Sequence, residues 1–175
     1  MKLGTQHNTS RGFTIVELLI VIVVIGILAV ITIVAFNGVQ NRASDAAVQS
    51  DLAAVGKKMA AFNVDNFRYP NNVTELTSLE LRTSKSAYAT NRMLNFSYCT
   101  NADKTGYAIG GISKSGKQFY VSSTSGVKEY AATLLNDGNR EDIGTSCSDL
   151  LPGGTRLQGG YYTPDTPPWR SWTGA

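Results

Sequence analysis

Histidine is nearly absent from this 175-residue chain: the single copy, His7, sits among the first dozen residues. If residues 1–12 are removed, none is left, which excludes Ser-His-Asp and Cys-His catalysis and the usual histidine-containing zinc sites. Charge is sparse, 17% of residues, and the formal net charge is +3. Lys2 and Arg11 supply two of those charges, so the chain from residue 13 onward is near +1 (3 minus 2). Such a balance gives no electrostatic case for a nucleic-acid partner. Gly153-Gly154 and Gly159-Gly160 lack the following Lys-Ser/Thr of a phosphate-binding loop. Asp137, Gly138, Asn139, Glu141 and Asp142 offer oxygen ligands for calcium, but without EF-hand spacing they read as a polar turn. The sequons at Asn72 and Asn95 are too short a pattern to carry weight. No metal or cofactor is called for, and the chain is not expected to be an enzyme. Cysteine is also scarce. Cys99 and Cys147 are two free thiols in the cytosol or one disulfide in an exported domain. Closing that loop of roughly 50 residues stabilises by about 4 kcal/mol in the chain-entropy model.

What the sequence does have is a steep polarity gradient. Residues 1–12, MKLGTQHNTSRG, are polar and basic and end in Arg11-Gly12. FTIVELLIVIVVIGILAVITIVAF follows at once, and from Leu18 to Phe36 its only polar side chain is Thr32. As a helix this run covers about 28 Å, enough for the hydrocarbon core of a bilayer. The basic flank places its N-terminal end at the cytoplasm. An ordinary secretory signal has a shorter apolar region and a small-residue cleavage site behind it, for which Ile33-Val34-Ala35 is a poor match. A plain signal anchor stays uncleaved. Neither explains Glu17, an acid near the start of an apolar helix, where an uncompensated charge costs several kcal/mol.

Gly12, Phe13, Thr14 and Glu17 followed by an unbroken apolar helix resemble the class III signal of type IV pilins and pseudopilins. The likeness is tight over residues 11–36, and Gly26 also falls where many members have glycine. It implies that a membrane-embedded aspartyl prepilin peptidase cuts between Gly12 and Phe13 and N-methylates Phe13. The new amine would stand four residues from the Glu17 carboxylate. Paired with a neighbour's Phe13 amine, Glu17 would fix axial register in a packed filament, since each charge is expensive alone in a low-dielectric setting. The bland alternative is a carboxylate that stabilises its own helix N-terminus, worth less than about 1 kcal/mol. Many relatives carry a helix-kinking proline in the stretch that corresponds to Leu28–Phe36; this chain has none. Softening in the filament is expected instead at Asn37-Gly38.

Beyond Gly38 the apolar pattern becomes a single stripe, Val48, Leu52, Val55, Met59 and Phe62, with Asp45, Gln49, Asp51, Lys57 and Lys58 on other faces. One helix is expected from Phe13 to Phe62, ended by Asn63–Tyr69 and Pro70. FRYPNNVTELTSL resembles the loop after the long helix of many pilins and major pseudopilins. Asn72, Thr74, Glu75 and Leu76 can start a short helix. Alternation at Leu94, Phe96 and Tyr98 predicts a strand, and Gly106–Ile112 with Lys117–Ser122 predicts a hairpin turning at Ser113–Gly116. Val127–Leu135 is a strand or a short helix. Leu151–Ala175, rich in Gly and Pro with Tyr161, Tyr162, Trp169 and Trp172, reads as a surface-packed loop, an adhesive aromatic patch being the sharper option.

The fold class expected is α+β: a long N-terminal helix, hydrophobic then amphipathic, packed on a small antiparallel sheet. The divisions are 1–12, a cleaved leader; 13–36, the transmembrane and filament-core helix; 37–66, the amphipathic half; and 67–175, the head with its tail. The function implied is a subunit that polymerises into a type IV pilus for adhesion, twitching motility or DNA uptake. The alternatives are a pseudopilin of a type II secretion or competence system and a membrane-anchored extracytoplasmic binding protein that never polymerises. Implied partners are other copies of the chain, the prepilin peptidase, an inner-membrane assembly platform and, before assembly, membrane lipid. The subunit would cross the cytoplasmic membrane once and end in an extracellular filament.

Overall fold

A computed structural model describes residues 12–89, 96–130 and 147–160. They fall into two compact units that part between Val39 and Gln40. One helix, α1 (Ile15–Asn66), makes up nearly all of the described part of the first unit and opens the second. It runs through Asn37-Gly38 without a break and ends four residues later than the sequence pattern suggests.

In the second unit, Val48, Leu52, Val55 and Met59 of α1 are fully buried, as their spacing predicts. Phe62, the fifth member of that stripe, is only half-buried. The Arg68 guanidinium lies 5.7 Å from its ring centre, so Phe62 serves the helix end rather than the core. The short helix α2 (Val73–Ser78) is capped reciprocally. The Asn72 side chain accepts from the Glu75 N–H at 2.8 Å, and Glu75 in turn accepts the Asn71 N–H and both arms of Arg68, at 2.9 and 2.7 Å. Lys58 of α1 donates to the carbonyls of Leu79 and Glu80 just past the end of α2.

Five antiparallel strands follow: β1 (Phe96–Asn101), β2 (Tyr107–Ile112), β3 (Gln118–Ser122), β4 (Ser125–Tyr130) and β5 (Gly154–Gly160). Their spatial order is β4-β3-β2-β1-β5. β1 to β3 answer the expected strands, with Leu94 and Asn95 outside the described residues. The turn at Ser113–Gly116 is closed by the Gly116 N–H donating to Ser113, and Gly116 takes a φ of +89° that other residues rarely adopt. The ambiguous Val127–Leu135 is a strand as far as Tyr130. One expectation is corrected: the tail is not simply a loop, because Gly154–Gly160 adds an edge strand to β1. The aromatic residues of the tail lie outside the described residues.

Phe96, Tyr98, Ile109, Phe119 and Val121 face the α1 stripe and form the main core with Leu76, Leu81 and Tyr88. Gly111 sets the approach of helix to sheet there, since a Cβ on it would stand 3.0 Å from the Tyr88 ring and 3.4 Å from Val48. On the opposite face Cys99, Ala108, Cys147 and Leu151 form a smaller cluster, bridged by the Cys99–Cys147 disulfide. The sheet is therefore apolar on both faces around β1, which is buried from Phe96 to Thr100.

Candidate processing and assembly site

Every residue from Gly12 to Val39 whose side chain is described is exposed. Phe13 is 80% exposed, and the large apolar residues whose side chains are described from Ile15 to Phe36 are each about half exposed or more, with no cover among the described residues. Such a surface is not stable in water and demands lipid or another protein surface. Thr32, the polar residue inside the run, is neutralised locally: its hydroxyl donates to the carbonyls of Leu28 and Ala29, each at 2.9 Å. Gly26 faces open space, with nothing within 4 Å of where a Cβ would stand.

Glu17 is the only acidic residue in this unit, and the structure gives it a specific setting. Thr14 precedes the first turn of α1 as its N-cap. Its amide N–H and hydroxyl both donate to Glu17 Oε2, at 2.9 and 2.7 Å. The Glu17 N–H donates back to the Thr14 hydroxyl at 3.3 Å. This is a capping box, and its sequence signature, Thr followed three residues later by Glu, is present in Thr14-Ile15-Val16-Glu17. Within a single chain Glu17 thus stabilises its own helix. A carboxylate offers about four lone-pair positions, so the box leaves capacity for a further donor such as an amine. Gly12 and Phe13 precede the helix in irregular backbone, where a peptide bond is open to a protease.

In the second unit the predicted disulfide pair is brought together: Cys99 on β1 and Cys147, which opens a helical turn at 147–150, are bonded, with Cα atoms 5.7 Å apart. Three charged residues that the sequence places only on faces away from the stripe hold the head to α1. Asp51 accepts the Ser84 N–H at 2.6 Å, Asp45 accepts the Ser115 hydroxyl, and Lys58 caps α2. No signal in the sequence marks their partners, which lie 21 to 70 positions away. Among the described residues no group of three or more His, Cys, Asp or Glu is placed to hold a metal ion. The acidic run at Asp137–Asp142 lies outside them.

A family model described as the prokaryotic N-terminal methylation motif matches residues 7–33. The chain is 33% identical over 121 residues to the major component of the type IV wide pilus of Thermus thermophilus, a match spanning 67% of this chain and 92% of that relative. It is 35% identical over 82 residues to type II secretion system core protein G of Klebsiella pneumoniae, covering 47% of this chain and 59% of the relative. The same protein of Escherichia coli is 35% identical over 72 residues, 41% of this chain and 50% of the relative. The chain thus spans between half and three-fifths of these secretion relatives.

Proposed function

Because the chain belongs to the family of type IV pilins and pseudopilins, we propose that it is a structural subunit that polymerises through α1 into a type IV pilus. In this reading residues 1–12 are a leader, and a prepilin peptidase cuts between Gly12 and Phe13 and N-methylates Phe13. Residues 13–36 hold the subunit in the cytoplasmic membrane until an assembly platform moves it into the filament core. Residues 37–66 carry the head, 67–175, on the filament surface. The observation that carries the reading is the first unit: a fully uncovered apolar helix whose one acid, Glu17, sits four residues from the new terminus. Among filament subunits, a pseudopilin of a secretion system is the second reading, favoured by the resemblance to the core G proteins.

The test is Glu17→Ala. The capping box is lost, which costs the helix start about 1 kcal/mol, but the head stays folded, because its buried core draws on α1 only from Val48 onward. What fails is assembly, because a neighbour's Phe13 amine enters the apolar core unpaired, at about 3–5 kcal/mol per subunit. Sheared filament yield should collapse while membrane-bound subunit persists, and mass spectrometry of wild-type filaments should find N-methyl-Phe13 as the terminus. Normal filament yield from the mutant would leave Glu17 with the capping role alone. A mature terminus beyond the apolar run would remove the pilin reading altogether.

A further inference from the structure

The head carries a knob and a hole on one side of α1 that do not fit each other within one chain. The hole is a groove of about 380 Å³, room for a large side chain, floored by Ala53, Gly56 and Ala60 of α1 and walled by Tyr107 and Val127. Gly56 keeps the floor low, since a Cβ there would stand 3.2 Å from Val121 and 3.4 Å from the Tyr107 hydroxyl. The Tyr69 ring leans on Tyr107 with centres 4.7 Å apart and closes the upper end. Ala53, Gly56, Ala60 and Val64 follow one another at three or four residues, so they share a face of the helix. Val64 is 72% exposed, and Phe67, just past the helix end, is 90% exposed. Phe67 is held out by its backbone. Its N–H donates to the Asn63 carbonyl at 2.8 Å and its φ is +55°, the position at a helix end where glycine is the usual residue. Val64 and Phe67 together thus stand as an apolar step beside the groove, uncovered among the described residues.

Charge points to the same occupant. Lys57 stands exposed at the rim of the groove and Asp65 stands exposed beside the knob, and neither has an ion-pair partner among the described residues. Phe67 follows Ala60 by seven residues and Gly56 by eleven, roughly 10–17 Å along the axis. A second copy displaced by that step, and turned about the helix axis so that the two faces meet, would lay its Phe67 over the groove and its Asp65 against Lys57. We propose that Val64 and Phe67 of one head insert into the Ala53–Ala60 groove of the next, with Asp65 facing Lys57. The occupant of the groove is therefore a second copy of this chain. Knob and hole are different patches, so the contact is head-to-tail and repeats without closing, as a helical filament requires. The inference rests on the filament reading and gives that filament a contact between neighbouring head domains besides the one at Glu17.

Two tagged copies of the full chain, one carrying Ala54→Cys beside the groove and the other Asn66→Cys beside the knob, are expressed together and treated with a short bis-maleimide, with Lys114→Cys replacing Ala54→Cys in a control. Both sites are exposed, so folding is unaffected. The test pair should give a heterodimer band that the control lacks. Phe67→Ser should lower filament yield about tenfold or more, as expected of an aromatic anchor. Lys57→Glu and Asp65→Lys should each lower it, and the two together should restore it. Abundant wild-type filaments with no cross-link and no rescue would overturn this contact and leave the filament reading intact. Cross-linked heterodimers in membranes that make no filament would do the reverse.

Discussion

Reducing the bond between Cys99 and Cys147 should strip the fold from one edge of the sheet. Cys99 lies on β1, and Cys147 opens the turn that delivers the chain into β5. The bond closes a loop of 48 positions, and opening it returns about 4 kcal/mol of chain entropy to the unfolded state. Nothing offsets that loss. The two thiols would stay packed against Ala108 and Leu151 as small apolar groups, so no cavity forms and no polar group is buried. At roughly 3–5 °C per kcal/mol for a unit that runs from Gln40 to Ala175, Tm should fall by about 12–20 °C. The unfolding should also have a direction. β5 is an edge strand bonded to β1, and its entry is fixed by the Gly154 N–H donating to Leu151 at 2.7 Å. The 147–151 segment that carries this turn is tied to the outer face of the sheet by the disulfide. The assay is a near-ultraviolet circular-dichroism melt of the full chain in detergent, with and without reductant, alongside hydrogen exchange. Amides of β5 and of β1 on its β5 side should lose protection first, before those of β2 and β3. A Tm change below about 5 °C, or protection lost evenly across the sheet, would refute the reasoning.

Acid should act first at the loop after α1. The Arg68 guanidinium on both oxygens, helped by the Asn71 N–H, holds Glu75 down to about 2 against partial burial. Because the folded value lies below the unfolded one, its stabilisation is complete above about 4.5 and is lost as pH falls toward 2. The pair is partly solvated, so the loss is about 1 kcal/mol. Denaturant midpoints should drop in that window, and Glu75→Gln should remove the dependence. Gly111→Val would press a branched side chain onto Tyr88 and Val48 and should destabilise by about 1–3 kcal/mol in chemical denaturation. Thr14→Ala should fray the first turn of α1, read as faster amide exchange there. Filament yield should fall far less than in Glu17→Ala, because the carboxylate survives; equal losses would mean that only the capping box matters.

The apolar helix of the first unit was legible because its signal is local. The Thr14–Glu17 capping box was missed although its spacing is as local, whereas an apolar run shows in any window of sequence. The α1 stripe was legible for the same reason, as period alone placed Val48, Leu52, Val55 and Met59 in the core. Phe62 broke the pattern through a cation brought to it from beyond the helix end, at Arg68. The partners of Asp45, Asp51 and Lys58 were not legible because a polar residue on a helix looks the same whether it meets water or a polar group of a distant loop.

β5 was missed for a reason that lies in its neighbours. GTRLQGG has three glycines and no alternation, and a single strand of that composition is a poor one. Its register changes the account: Phe96 stands between Gly111 on β2 and Gly160 on β5, and Ser97 between Gly110 and Gly159. Glycines on both flanks of Phe96 leave room for a ring that is fully buried, and the ring covers backbone that glycine leaves bare. Each weak strand is therefore compensated across the sheet, by pairing of large with small residues on three strands. That pairing joins residues some 15 and 60 positions apart, and no window along one strand contains it.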